Sequence, residues 1–269
     1  MIHKGLVCGT NLSQSELRVT PPQCDASMKG KATCTSFPAS ESRHAKSVLD
    51  LVHSNLWGPA PVISLSRTCY VLMLTDNKSH WLWVHFLKSK SEAYKAFVEW
   101  LTYVEMETGQ VLCPICTDNG GGYLSKLWDN FLKDQDICHE LTSPYTHKQN
   151  GLSECQNHSI FDHVCTILID SSLPLYLWPE AVNYVIHTKN HHVTCLLQDS
   201  TPYGICYGMK PDISAFHPFG CKVYAYNHLP EWNKLELHAI EGIFVGYLII
   251  RKPFRYIFLV NGTCWIPFT

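Results

Sequence analysis

Asp118 and Glu154 are carboxylates placed where a backbone can hold a metal ion. Asp118 follows an apolar and β-branched run (Val111, Leu112, Ile115) and opens onto Gly120, Gly121 and Gly122. Its side chain is therefore expected at the C-terminal end of a strand, where the backbone turns sharply. Glu154 lies just past Asn150-Gly151, a turn signal, and Ile160, Val164, Ile167 and Leu168 follow at helical spacing. That pattern predicts the first turn of a helix. A carboxylate at a strand end and another on a nearby helix can hold two divalent cations about 3.5–4 Å apart, one serving the attacking oxygen and one the leaving oxygen. Mg²⁺ and Mn²⁺ favour such oxygen ligands.

The elements that must position these groups follow from hydrophobic periodicity. Val48–Asn55, Cys69–Thr75 and Trp81–Phe86 read as strands, the last two separated by the polar turn Asp76–His80. Ser89-Lys-Ser-Glu92 has capping-box form, and Ala93, Phe97, Trp100, Leu101 and Val104 recur at helical spacing until Gly109. A strand at Val111–Thr117, a short helix around Ser125–Lys133, a strand near Cys138–Leu141 and helices bearing Glu154 and at Leu177–His187 complete the order. This succession predicts an α/β fold, a mixed sheet with helices packed on it.

With those residues in place, the chain resembles the integrase core of copia-type retrotransposons, a relative of retroviral integrases in the ribonuclease H-like superfamily. The motifs are TDNGG, PYT, QNG and the following Glu154, with thirty-five residues between Asp118 and Glu154. Upstream the resemblance takes in LDLVHSNLWGP and YVLMLTDNKSHWLWV; downstream, LPLYLWPEAV, TPYGICYGMKPD and FGCKVYAY. It implies a ribonuclease H-like mixed five-stranded sheet flanked by helices and followed by a small all-β barrel. It also implies DNA integration by metal-dependent polynucleotidyl transfer, with Mg²⁺ or Mn²⁺ held by a D, D, E triad. Asp118 and Glu154 match two members of that triad. The third falls at Asn55, where the family writes HSDLWGP and this chain HSNLWGP. An amide offers one carbonyl oxygen and no charge, so catalysis is expected to be impaired. Asp50, five residues earlier, belongs to the opposite face of an extended strand and is a poor substitute.

Further resemblances concern nucleic acid. Gln149 and Asn150 match family residues that shape a mobile active-site loop, against ordinary turn chemistry as the alternative. Lys148 is the cation beside them. The family writes E-R-x-N-R where this chain has Glu154-Cys155-Gln156-Asn157-His158, so two arginines able to grip phosphate are missing. His158 is either a DNA-facing residue or, one turn beyond Glu154, a partner in metal binding. Arg251, Lys252 and Arg255, near Tyr247 and Tyr256, read either as a phosphate-binding patch or as a solvated hairpin tip.

Composition bounds what remains. At 269 residues and 46% hydrophobic, the chain can bury a substantial core, and a net charge of −2 argues against tight autonomous DNA binding unless lysines cluster. Thirteen scattered cysteines predict reduced thiols in the nucleus or cytoplasm, and no apolar run predicts secretion or membrane insertion. Residues 1–47 are expected to be loosely ordered, a remnant of a pre-integrase zinc-binding region. Ser27 stands where a second cysteine would follow Cys24, and only His3 lies upstream, so zinc is not expected. Cys113-Pro-Ile-Cys116 places its thiols on opposite faces of a strand and is read as structural. The expected organisation is 1–47 as remnant, 48–187 as catalytic core, 188–215 as connecting segment and 216–269 as small β-barrel. The expected partners are retroelement DNA ends and target DNA, RNA being an alternative, and a second copy of the chain. A non-catalytic nucleic-acid-binding or assembly protein and a decayed element fragment are the competing readings.

Overall fold

The computed structural model describes residues 45–118, 123, 125–141, 147–226, 239–247, 254–260 and 263–265. Strands β1 (Val52–Trp57), β2 (Tyr70–Asp76), β3 (Leu82–Leu87), β4 (Pro114–Thr117) and β5 (Cys138–Leu141) form one sheet in the order β3-β2-β1-β4-β5. Pairing is antiparallel from β3 to β1 and parallel from β1 to β5. Alternation in β2 explains why both faces must be covered: Leu72 and Leu74 belong to one buried cluster, Val71 and Met73 to another. Helices α1 (Ala93–Thr108) and α2 (Lys126–Asp134) cover the first face, through Phe97, Trp100, Val104, Trp128 and Leu132. Helices α3 (His147–Ser171) and α4 (Trp178–His191) cover the second, through Ile160, Val164, Leu168, Val182 and Val185. This is the expected mixed five-stranded sheet with flanking helices.

The edge of the sheet is closed by a side chain. Asn190, buried near the end of α4, accepts from the Leu82 N–H at 2.9 Å and donates to the Leu82 carbonyl at 2.9 Å. The amide thus occupies the place of a neighbouring strand along β3.

Segment boundaries differ from the sequence expectation in instructive places. Strand β4 starts at Pro114, leaving Val111 exposed, because the chain is still emerging from the Gly109 cap of α1, where φ is +65°. In the capping-box segment Glu92 Oε2 accepts from the Lys88 N–H at 2.8 Å, while Ser89 makes no side-chain cap and contacts Ser91 instead. Helix α3 begins at His147 and runs through Asn150-Gly151, so the turn signal is overridden. Helix propensity is only a weak prior where packing along a long apolar stripe decides. The stretch between α4 and the C-terminal strands contains α5 (Pro202–Tyr207), capped by Thr201 Oγ1 accepting from Gly204 N–H at 2.9 Å.

The C-terminal part is all-β as expected: β6 (Lys222–Tyr226), β7 (Ala239–Tyr247), β8 (Phe254–Val260) and β9 (Thr263–Trp265) pair successively and antiparallel. Val245 and Ile257 join the second core with α3 and α4. Glu180 of α4, 8% exposed, pairs with Arg255 of β8 at 3.3 Å. No helix among the described residues is long and apolar enough to cross a membrane.

Candidate metal site at the end of strands β1 and β4

The parallel register decides how two of the three candidate ligands stand. Ser54 is opposite Thr117, so the next residues along the two strands are Asn55 and Asp118. Asn55 is paired across β2 with Met73, a member of the second core, whereas Ser54 is paired with Leu74 of the first. Alternation therefore puts Asn55 on the face covered by α3 and α4, and carried one residue past the end of β4 it puts Asp118 on the same face. Both are partly exposed, as ligands for a hydrated cation must be.

Groups behind the site fix it in place. Ser54 Oγ and Tyr123 Oη are 2.7 Å apart and buried, joining β1 to the segment that follows Asp118. Burial drives the Tyr123 phenol far above its ordinary pKa; the Ser54 hydrogen bond opposes this and the charge of Asp118 adds to it. Thr117 donates from Oγ1 to the Asp118 carbonyl at 3.1 Å. His53, on the same face as Asn55, has its Nε2 3.3 Å from Asn77 Nδ2, while its buried Nδ1 has no hydrogen-bond partner among the described residues. Burial, then the neighbouring His80, lowers its pKa. Asp50 is engaged elsewhere, accepting from the Lys46 and Ser47 N–H groups at 2.9 and 2.7 Å.

Glu154 is in α3 as expected for a helix, but two turns in rather than on the first turn. Phe161 of the same helix stacks on Trp57 of β1 with ring centroids 3.9 Å apart. The side chain of Glu154 lies outside the described residues, as do those of Lys148, Gln149 and Asn150, and all four backbones are helical. Gln149 and Asn150 are thus not in a loop. His158 is exposed, its Nδ1 3.8 Å from Asp162 Oδ1. Arg251 and Lys252 lie outside the described residues. Arg255 is held by Glu180, which favours an architectural role for it over the phosphate patch.

Among the described residues no group of three or more His, Cys, Asp or Glu side chains is arranged to hold a metal ion. Asp118 and Asn55 supply one carboxylate and one amide carbonyl, a donor set that fits one hard cation with little charge compensation. The Cys113 and Cys116 thiols face apart, exposed and buried respectively, and burial pushes the Cys116 thiol up to about 11.

The chain has relatives among known proteins. The chain is 32% identical over 228 residues to a retrovirus-related Pol polyprotein from transposon TNT 1-94 of Nicotiana tabacum, covering 85% of this chain and 17% of the relative. It is 26% identical over 218 residues to one from transposon RE1 of Arabidopsis thaliana, covering 81% of this chain and 15% of the relative. A chain of a simian T-cell lymphotropic virus intasome, solved in complex with PP2A regulatory subunit B56 gamma, superposes with a TM-score of 0.51 at 18% identity, covering 91% of this chain and 84% of that one. The chain is a homologue of retrotransposon Pol polyproteins and shares its fold with that intasome chain. The HTLV-2 integrase catalytic core domain, solved with magnesium, gives a TM-score of 0.45 at 21% identity, covering 60% of this chain and 99% of that one. No protein-family model matches the chain. The chain spans about a sixth of the length of the curated relatives it matches.

The Ser54 contact was not singled out from sequence. The signal for Ser54 was present, because alternation puts it on the buried face beside Asn55, but its Tyr123 partner is sixty-nine residues away.

Proposed function

We propose that this chain is the catalytic-core segment of a retrotransposon integrase whose polynucleotidyl transfer is impaired at its first ligand position. The observation that supports the reading most is the parallel register, in which Ser54 is opposite Thr117, so that Asn55 within β1 comes next to Asp118, the residue that follows β4. Asp118 would hold a divalent cation through its carboxylate and Asn55 through its carbonyl oxygen. When bound, such an ion supplies the charge that activates a water or DNA 3′-hydroxyl for attack on phosphate. Glu154, on the helix covering that face, is the third ligand of this reading. The residues of the chain do the positioning: Ser54 and Tyr123 tie β1 to the segment after Asp118, and Trp57 and Phe161 seat α3 against β1. Lys148, Gln149 and Asn150, at the start of α3, and His158, about three turns in, are proposed to meet nucleic acid, and a second copy of the chain is the proposed partner. The nucleus or cytoplasm is the proposed location, in keeping with free thiols at Cys69, Cys113 and Cys138.

Asn55 also supports a second reading, a non-catalytic core that keeps the fold and binds nucleic acid. A strand-transfer assay on retroelement-end DNA with Mg²⁺ separates the two. The impaired-enzyme reading expects no measurable joining by the unaltered chain and recovery in Asn55→Asp. Robust joining by the unaltered chain, lost in Asp118→Ala, contradicts the impairment; a silent Asn55→Asp variant that still binds DNA supports the second reading.

A further inference from the structure

Behind Asp118, on the opposite face of the sheet, three groups from β4, β5 and α2 form a chain of contacts. Thr117 is 1% exposed, and its Oγ1 lies 3.1 Å from the Asp118 carbonyl and 2.9 Å from His139 Nε2. His139 is paired across the strands with Ile115, so alternation gives it the same face as Thr117. Its other nitrogen, Nδ1, is 3.8 Å from Asp129 Oδ1 on α2. Burial lowers the pKa of the ring, opposed by Asp129, so at neutral pH one nitrogen carries the proton and the other a lone pair.

A hydroxyl has one proton to give. If Thr117 donates it to the Asp118 carbonyl, its lone pairs face the ring, and His139 must present Nε2–H. If Thr117 donates to the ring instead, the Asp118 carbonyl loses that donor. Asp129 favours a proton on Nδ1, but its carboxylate is more than half exposed and beyond hydrogen-bond length, whereas the Thr117 oxygen is in direct contact. We propose that His139 is a positioning residue for Asp118: its Nε2–H holds the Thr117 hydroxyl so that the hydroxyl proton stays on the Asp118 carbonyl, fixing the strand end that carries the carboxylate. The inference rests on Asp118 being a metal ligand, and it adds a residue that touches neither metal nor substrate.

The test has two arms. In the intact chain, long-range ¹H–¹⁵N spectra compared with those of His139→Gln assign the ring; the Nε2–H form is expected, and the Nδ1–H form overturns the proposal. In the Asn55→Asp background, Mn²⁺ titration of His139→Ala, His139→Gln and Thr117→Val reads the consequence. Affinity is expected to fall by about 10- to 100-fold in His139→Ala and in the near-isosteric Thr117→Val, as for groups that orient a ligand. His139→Gln, whose side-chain amide can donate from a comparable place, is expected to recover most of the loss. Equal losses in all three variants, tracking their melting temperatures, mark a merely structural contact and overturn it. If Asn55→Asp binds no Mn²⁺, the metal-site reading fails, and the protonated ring nitrogen alone decides the Thr117 contact.

Discussion

At the scale of single residues, the proposed site turns on one amide. In that proposal Asn55 would offer one oxygen donor and no charge, and a unit charge about 4 Å from an ion is worth about 4 kcal/mol at an effective dielectric near 20. Its neighbour Ser54 points the other way and shares a buried 2.7 Å hydrogen bond with Tyr123. Tyr123→Phe is expected to lower stability by about 1–2 kcal/mol in urea unfolding, since Ser54 is left buried without that partner. An unchanged midpoint would show that the contact contributes nothing net. The placement of Asp118 was legible in the sequence, because an apolar and β-branched run before glycines marks a strand end; Asn55 was singled out by the family resemblance alone. Glu154 was legible as helical but not as an interior residue, because Asn150-Gly151 is ordinarily a turn and the helix runs through it.

Among elements, the sheet is sealed by helices that do more than cover it. Asn190 satisfies both backbone groups of Leu82 on the edge strand β3. Asn190→Ala is expected to destabilise the protein by about 2–4 kcal/mol, because two buried backbone groups lose their partner. Amide exchange at Leu82 is expected to rise along with the loss of stability, and preserved protection at that amide would locate the effect elsewhere. The succession of strands and helices that makes a mixed sheet was legible from hydrophobic periodicity, whereas the lateral order β3-β2-β1-β4-β5 was not, because it depends on pairings between distant segments. Nor was the lock at Asn190, since its partner is 108 residues distant and no local pattern signals a side chain standing in for a strand.

Across the whole molecule, the C-terminal sheet and the helical layer share a core. Val245 and Ile257 pack with α3 and α4, and Arg255 meets the buried Glu180. Burial raises the Glu180 pKa, with Arg255 pulling it back down. A carboxyl whose folded pKa is raised costs stability as it ionises, so the cost is absent below the unfolded pKa and fully present above the folded one. Arg255→Ala removes the opposing charge. Its deficit is expected to be about 1–3 kcal/mol at pH 7, discounted for the partial exposure of Arg255, and to shrink near pH 4. A deficit independent of pH would point to lost packing of the arginine stem instead. The expected division at residue 216 came from a change of composition, which carries no information about the core shared across it.

The central claim is that one missing carboxylate separates this integrase-like core from a metal-competent one. Calorimetric titration of Mn²⁺ into the intact chain, Asn55→Asp and Asn55→Asp with Asp118→Ala addresses it directly. The expected result is weak binding by the intact chain, affinity at least about tenfold higher in Asn55→Asp, as the charge argument above requires, and loss of that gain when Asp118 is also replaced. Equal affinity in the intact chain and Asn55→Asp, or a gain that survives Asp118→Ala, would contradict it.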